Sequence, residues 1–535
     1  MTIKNKAMAA VTCGLSLAMT LGGPLSALPA YAATVTINQD QAGAAVQNRV
    51  FNAYKLATYT TTDEGNVYTF VSDDVRSAVR TVLGELGVDL SGVTTDISLA
   101  GKIKDLTSSK QVEFAAKIAA AVSGKVTPTT INGNSGKLDN NAYYVVTEDT
   151  DNASVVKATP FLLEVGGDDK TVTLKSSQPS IDKDIVSVGA QDTKYDDTSI
   201  GSDVAFELND MTVPNTYGYD TFTYNITDQM SSGLTLTKAQ LDAMTLTIGG
   251  SSVTAGENTY KVYVVENGAE TPVSELSSDW SAKGATFVIK FNTTYFIGTY
   301  GSTAKDYTQN PVAGSAIKVN FSATLNEDAT VATPEQNKTK LTYSNTPNTN
   351  TDSTDHTVYV YTFGVEVQKT FSDNKNLFDQ VEFGITGGAD GTIWVTGNNG
   401  VYTVVKKGTT GAQDASSGLK LDANGHFQIK GLDQGTYTVT ETKIPDGYRS
   451  NGPQTITITP DYGTDGSKGK AGEIITLTDD KDGDGYVDGA MVNTPNAFHL
   501  PETGEVGMIL LPAVGLGIMG AVFVVSSKKD GKNNA

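Results

Sequence analysis

At 535 residues the chain is too long for one hydrophobic core and suits about three domains. Its 60 acidic against 39 basic residues give a net charge of −21, which argues against a nucleic-acid partner and suits a soluble, mutually repelling surface. The three histidines, His356, His426 and His499, stand at no spacing that would build a hydrolytic site, so the chain is not expected to be an enzyme.

The N-terminus has the make-up of a removable export signal. Lys4 and Lys6 precede an apolar run from Ala7 to Leu28, and Ala30-Tyr31-Ala32 supplies a small-residue cleavage site, so residues 1–32 are expected to be a signal peptide. Cys13, the one cysteine, falls inside it, and Ala10-Val11-Thr12 before it does not match a lipobox. The exported chain then holds no disulfide, and its mechanical stability must come from elsewhere.

Beyond Ala32 the composition is mainly that of a β protein. Glycine numbers 54 in the whole chain, and Thr, Val and Tyr alternate over long stretches. Residues 33–177 are predicted to be an N-terminal domain, with strands at 34–37, 51–56, 143–146 and 161–163. Between Ser72 and Ser123 the period changes. Val75, Ala78, Val79, Val82 and Leu83, then Phe114, Ala115, Ile118 and Ala119, recur at helical intervals, which predicts a helical insertion. A middle domain is predicted over 178–350, alternating at 222–226 and 260–264, and the polar run 348–356 reads as a linker or long loop. A third domain is predicted over 357–498. The expected architecture is a tandem of immunoglobulin-like β-sandwiches.

The second and third domains share a weak repeat. Each opens with a lysine on or beside its first strand, Lys183 and Lys369, and each closes on the same tripeptide, Asn345-Thr346-Pro347 and Asn493-Thr494-Pro495. A lysine and an asparagine on the first and last strands of a sandwich can be neighbours across a sheet. Burial favours the free amine, which is a nucleophile, and a buried carboxylic acid can polarise the Asn amide and move protons as ammonia leaves. Held in contact, such a pair gains an effective molarity on the order of 10⁵ M or more. The product is a Lys–Asn isopeptide bond, self-formed and resistant to reductant.

Tyr437-Thr438-Val439-Thr440-Glu441-Thr442-Lys443-Ile444-Pro445-Asp446-Gly447-Tyr448 resembles the E-box of pilin domains of the collagen-adhesin B type. The resemblance implies that Lys369 and Asn493 are joined and that Glu441 shuttles the proton. Ile226-Thr227-Asp228-Gln229-Met230-Ser231-Ser232-Gly233-Leu234 is similar to the acid-bearing strand of middle pilin domains. It implies Asp228 as the acid for Lys183 and Asn345, with Asp220 and Glu207 as alternatives.

The C-terminal residues 500–535 begin Leu500-Pro501-Glu502-Thr503-Gly504, continue through an apolar stretch from Met508 to Val525, and close with Lys528, Lys529 and Lys532. As a helix the apolar stretch would reach about 27 Å, enough to span a bilayer with the lysines on the cytoplasmic side. The three parts in this order resemble the cell-wall sorting signal of Gram-positive surface proteins. In that family a sortase cysteine attacks the Thr503 carbonyl, Gly504 leaves with the tail, and an amine takes the acyl group.

Taken along its length, the chain resembles the backbone subunit of a sortase-assembled Gram-positive pilus. That implies a secreted, wall-anchored structural protein, joined from Thr503 to a lysine of the next subunit and finally to peptidoglycan. Its partners would be pilin-specific and housekeeping sortases and neighbouring subunits. The acceptor in such pilins lies at the end of the first domain, where this chain has Leu174-Lys175-Ser176-Ser177 without the usual tyrosine, proline and asparagine. Lys175 is the expected acceptor, with Lys170 and Lys183 as competitors. The alternatives are a singly anchored adhesin for a host protein or glycan, which needs no acceptor lysine, and a minor pilin. No cofactor is expected apart from one open point. Asp480, Asp482, Asp484 and Asp488 stand as in the start of a calcium loop, but Met491 occupies the place of the closing Glu, so an acidic turn and a weak calcium site both remain readings.

Overall fold

The structure, a computed structural model, describes residues 32–39, 49–63, 65–106, 108–149, 157–174, 179–214, 216, 221–297, 299–300, 305–306, 314–346, 349–388 and 391–496. The expected signal peptide, Lys175, Asp220, Leu500 to Gly504 and the apolar stretch after them lie outside the described residues. Among the described residues no helix is long and apolar enough to cross a membrane.

The N-terminal part has three layers. A five-stranded sheet is built on Val50–Thr62 and Ala142–Glu148, and a three-stranded sheet places Ala32–Gln39 between Ser135–Asp139 and Lys170–Leu174. Helices Asp73–Glu85, Asp96–Lys104 and Ser108–Val122 form the third layer. The first starts where Ser72 Oγ accepts the Val75 N–H at 3.2 Å, with Asp73 and Asp74 in its first turn, an N-cap that also suits the helix dipole. Its buried face is Val75, Ala78, Val79, Val82 and Leu83, the predicted set. Along Ala142–Glu148, Tyr143 and Val145 meet the helices, while Tyr144 and Val146 meet the three-stranded sheet. A strand buried on both sides reads as a continuous apolar run, and this one does.

The middle part is a sandwich. One sheet runs, in spatial order, Tyr195–Asp197, His356–Tyr361, Glu335–Thr346, Tyr224–Met230, Thr286–Phe291, Tyr260–Glu266 and Ala269–Pro272. The other runs Ser251–Ser252, Thr245–Ile248, Ala316–Leu325, Asp203–Thr212 and Asp182–Ile185. Phe287 and Phe321 meet edge-to-face between the sheets at 5.1 Å.

Two features differ from expectation. The polar run after Asn348 is not a bare linker: Thr349–Asp352 folds back as a strand on Glu335–Thr346. The strand His356–Tyr361, expected to open the third domain, pairs with Glu335–Thr346 and Tyr195–Asp197 in the middle sheet. The chain therefore crosses to the next sandwich at Thr362 rather than at Thr357. Polar composition identified a turn-rich segment, but pairing depends on the partner edge waiting for it.

The C-terminal part packs a sheet carrying Phe363–Phe371, His426–Leu432 and Tyr486–Pro495 against one carrying Glu382–Gly387 and Gly435–Lys443. The first and last strands, Phe363–Phe371 and Tyr486–Pro495, are parallel neighbours. The middle and C-terminal sandwiches share one continuous apolar core, whereas the N-terminal part has its own two.

Candidate functional site

The parallel pairing sets Lys369 opposite Met491 and Phe371 opposite Asn493. Side chains alternate along each strand, so Lys369, Phe371, Met491 and Asn493 all point inward. Lys369 and Asn493 are both fully buried. Glu441 comes from the facing sheet, inward beside Tyr437 and Val439. Lys369 Nζ donates to Asn493 Oδ1 at 2.6 Å and to Glu441 Oε2 at 3.2 Å, and Asn493 Nδ2 donates to Glu441 Oε1 at 2.6 Å. Phe371 lines the site, its ring centre 5.6 Å from Nζ. Burial holds the Lys369 pKa below the ordinary lysine range. The three expected residues are thus together, and each glutamate oxygen faces one of the two nitrogens.

In the middle sandwich Lys183 is fully buried on its short edge strand and pairs with the equally buried Asp228 from the facing sheet. Phe206 and Phe321 flank the amine, with ring centres 5.1 and 5.0 Å from Nζ. Burial brings the Lys183 pKa down to about 8 and raises that of Asp228, so each charge is disfavoured. Glu207, an alternative acid, belongs to the other face of its strand, where it accepts from Lys318 Nζ at 2.7 Å.

Asn345 is not at this site. Asp228 stands opposite Thr339, and Tyr224 opposite Tyr343, so Asn345 lies toward the far end of the same sheet. There Asn345 Oδ1 accepts from Thr349 Oγ1 at 2.7 Å, and its main-chain oxygen accepts the Lys157 N–H at 3.0 Å. The asparagine beside Asp228 is Asn337, eight positions earlier on the same strand and about 27 Å away along it. Asn337 is fully buried, and its amide is close enough to oppose, in small part, the burial-driven rise of the Asp228 pKa. Even so, Asn337 Oδ1, Asn337 Nδ2 and Asp228 Oδ1 make no hydrogen bond of ordinary geometry. The correction has a topological cause. In the C-terminal sandwich lysine and asparagine share one sheet and the acid faces them; in the middle one, acid and asparagine share a sheet and the lysine faces them. The repeated Asn-Thr-Pro marks similar strand ends, not equivalent positions. Strand parity turns Asn337 inward with Leu341 and Tyr343, but it does the same for Asn345, so alternation alone does not choose between them.

Of the candidate acceptor lysines, Lys170 is exposed and Lys183 is buried beside Asp228. In the acidic turn, Asp480, Asp482 and Asp484 bring oxygens within 4.8 Å of one another. Asp480 accepts from the amides of Gly483 at 2.7 Å and Gly485 at 3.0 Å, and Asp488 accepts from the Lys481 amide at 2.7 Å. Asp484 likewise accepts from the Tyr486 amide at 3.0 Å, so three of the four expected ligands close the turn itself.

A buried pair not expected from the sequence ties the N-terminal part. The side chains of Arg49 and Glu148 are buried and joined twice, Nε to Oε1 at 2.8 Å and Nη2 to Oε2, and Glu148 also accepts the Ala158 N–H at 2.7 Å. Arginine matches a carboxylate in this fork geometry where lysine cannot.

Residues 363–471 match the SpaA family, a prealbumin-like fold domain, and residues 492–533 match the LPXTG cell wall anchor motif. The chain carries a cell wall anchor. It is accordingly a wall-anchored surface protein, and Leu500-Pro501-Glu502-Thr503-Gly504 lies within the matched residues. No curated protein matches this wall-anchored chain in sequence. Among solved structures, it is similar to the T6 backbone pilin of serotype M6 Streptococcus pyogenes, at 16% identity and TM-score 0.47 over 89% of this chain and 100% of that one. The full-length major pilin SpaD of Corynebacterium diphtheriae matches at 13% identity and TM-score 0.47, over 88% of this chain and 98% of that one. The major pilin subunit BcpA of Bacillus cereus matches at 14% identity and TM-score 0.42, over 87% and 99%.

Proposed function

We propose that this wall-anchored protein is a shaft subunit of a covalent surface polymer, with each Thr503 joined by a sortase to a lysine of the next subunit and the last one to peptidoglycan. The observation that carries the reading is the buried contact of Lys369 Nζ with Asn493 Oδ1, 2.6 Å, between the first and last strands of the sandwich ahead of the anchor. In a head-to-tail polymer, tension enters a domain through its first strand and leaves through its last. A bond between those strands carries the load directly and spares the rest of the sheet. A disulfide could do the same, but the expected mature chain has no cysteine.

The geometry supports the following bond-forming step. The neutral Lys369 amine attacks Asn493 Cγ; Glu441 takes a proton from Nζ through Oε2 and supplies one to Nδ2 through Oε1. The Nζ–Cγ bond forms, the Cγ–Nδ2 bond breaks, and ammonia leaves. The protein is the substrate of this self-reaction and of the sortase, not a turnover enzyme. In the middle sandwich Lys183, Asp228 and Asn337 take the same three roles.

Lys183 is withdrawn from the acceptor role by burial, since an amine that meets a sortase-held acyl group must be reachable. Lys175 remains our assignment, with the exposed Lys170 as competitor. The deciding experiment is an immunoblot of wall extracts boiled in SDS and reductant. A ladder of high-mass bands supports the shaft. A single wall-linked band would instead support the singly anchored adhesin and remove the acceptor role from Lys175.

A further inference from the structure

The joint between the middle and C-terminal sandwiches contains a pair of carboxyl groups that no cation among the described residues neutralises. Asp197, on Tyr195–Asp197 of the middle sheet, is buried; Asp433, on the turn before Gly435–Lys443, is half-buried. Both accept the same N–H: Gln434 N lies 3.1 Å from Asp197 Oδ1 and 2.8 Å from Asp433 Oδ1. Asp197 Oδ2 accepts from the Tyr462 hydroxyl, again from the C-terminal side.

The groups around the pair are acidic or neutral. On the same strand Asp196 is buried and accepts the Gln191 N–H at 3.0 Å, and Tyr195 packs on Tyr462 at 4.6 Å. From His356–Tyr361, Tyr361 meets Tyr462 edge-on at 5.7 Å and donates to the Glu473 main-chain oxygen at 2.9 Å. The nearby lysines are engaged elsewhere: Lys470 with Asp192 at 3.0 Å, Lys468 with Asp461 at 2.6 Å, and Lys430 with the Glu327 main-chain oxygen at 2.7 Å. The segment after Tyr462 is fitted closely to the middle sheet, since a Cβ at Gly469 would come within 2.6 Å of the Tyr195 ring.

We infer that Asp197 and Asp433 share one proton across this joint, so that the two sandwiches dock more tightly in acid and less tightly in alkali. Two carboxylates that accept the same N–H cannot both ionise without repulsion, whereas a carboxyl–carboxylate pair makes a strong O–H···O⁻ hydrogen bond. Burial, then Asp197, pushes the Asp433 pKa up to about 9, and burial brings Asp196 up to about 6. The sign follows by linkage. Undocked, Asp433 would ionise in the ordinary range near about 3.9, so the docked form holds an extra proton from there to about 9. Docking is strongest below that window and weakens by up to about tenfold per pH unit through it. This inference concerns the joint alone and does not rest on the polymer or its cross-links.

The test is hydrogen exchange by mass spectrometry on the full mature chain from pH 5 to 9.5, corrected for the intrinsic rate at each pH. Expected is a loss of protection with rising pH in the segments 430–436 and 462–475, absent in Asp433→Asn. Asp433→Ser, checked for native circular dichroism, serves if the first variant does not fold, and should also be flat. A wild-type protein with no pH-dependent protection there, or a variant as steep as wild type, overturns the inference.

Discussion

Lys369 Nζ donates to Asn493 Oδ1 over 2.6 Å, and the two residues sit on neighbouring parallel strands that begin and end one sandwich. If the contact has become a bond, the chain has lost ammonia. The intact mature protein is expected about 34 Da below its sequence mass, about 17 Da for each of the two sites, because each amide exchange releases one NH₃. Glu441→Gln cannot accept and return the proton, so the C-terminal deficit should vanish while the middle one stays. The same variant should lose stability on the order of 5 kcal/mol, the loop-closure value for a chain link of this length. Intact-mass and thermal-melt measurements on purified protein check both, and an unchanged deficit in Glu441→Gln would remove the glutamate from the reaction.

Asn337 and Asn345 give opposite expectations in the middle sandwich. Asn337 is buried on the face that carries Asp228, while Asn345 accepts from Thr349 at the other end of the strand. Asn337→Ala should cancel one deficit of about 17 Da and leave Lys183 as a buried, unreacted amine. Asn345→Ala should keep the full deficit. Peptide mapping then finds the branched peptide joining Lys183 to Asn337, and a branch to Asn345 would reverse the assignment.

The contrast shows what the sequence can encode legibly. The helical insertion was readable because Val75, Ala78, Val79, Val82 and Leu83 bury one face at a 3.6-residue period, a local property. The C-terminal triad was readable because Glu441 lies in a distinctive strand and Lys369 and Asn493 on terminal strands that happen to pair. Asn337 is hidden in the sequence because the repeated tripeptide points to Asn345, and a tripeptide does not specify which sheet faces which. Arg49 and Glu148 are far apart in sequence, and nothing local to either marks it as half of an ion pair. The same holds for Asp197 and Asp433, whose encounter depends on how two sandwiches dock.

The N-terminal part is held differently from the other two. Removing one partner of a buried ion pair strands the other, at about 3–5 kcal/mol. Glu148→Gln keeps the shape and should still leave Arg49 charged and underpaired beneath the 2.8 Å contact it now makes. We expect a lower first transition in calorimetry, with mass deficit and later transitions unchanged. A variant whose first transition stays put would show that Arg49 and Glu148 contribute no net stability.

Two lysines near the first domain boundary should separate completely in their effects. Lys183 is buried against Asp228 and lined by Phe206 and Phe321, so Lys183→Arg should abolish the middle cross-link and its deficit of about 17 Da. It should leave the SDS-resistant ladder in wall extracts, because polymer growth never uses a buried amine. Lys175→Ala should do the reverse, losing the ladder while the secreted monomer keeps both deficits. Were Lys183→Arg to lose the ladder with the middle sandwich still folded, the buried lysine would have to be reachable during assembly. If Lys175→Ala polymerises normally, the exposed Lys170 is the next residue to replace, and a ladder lost only in that variant would move the acceptor there.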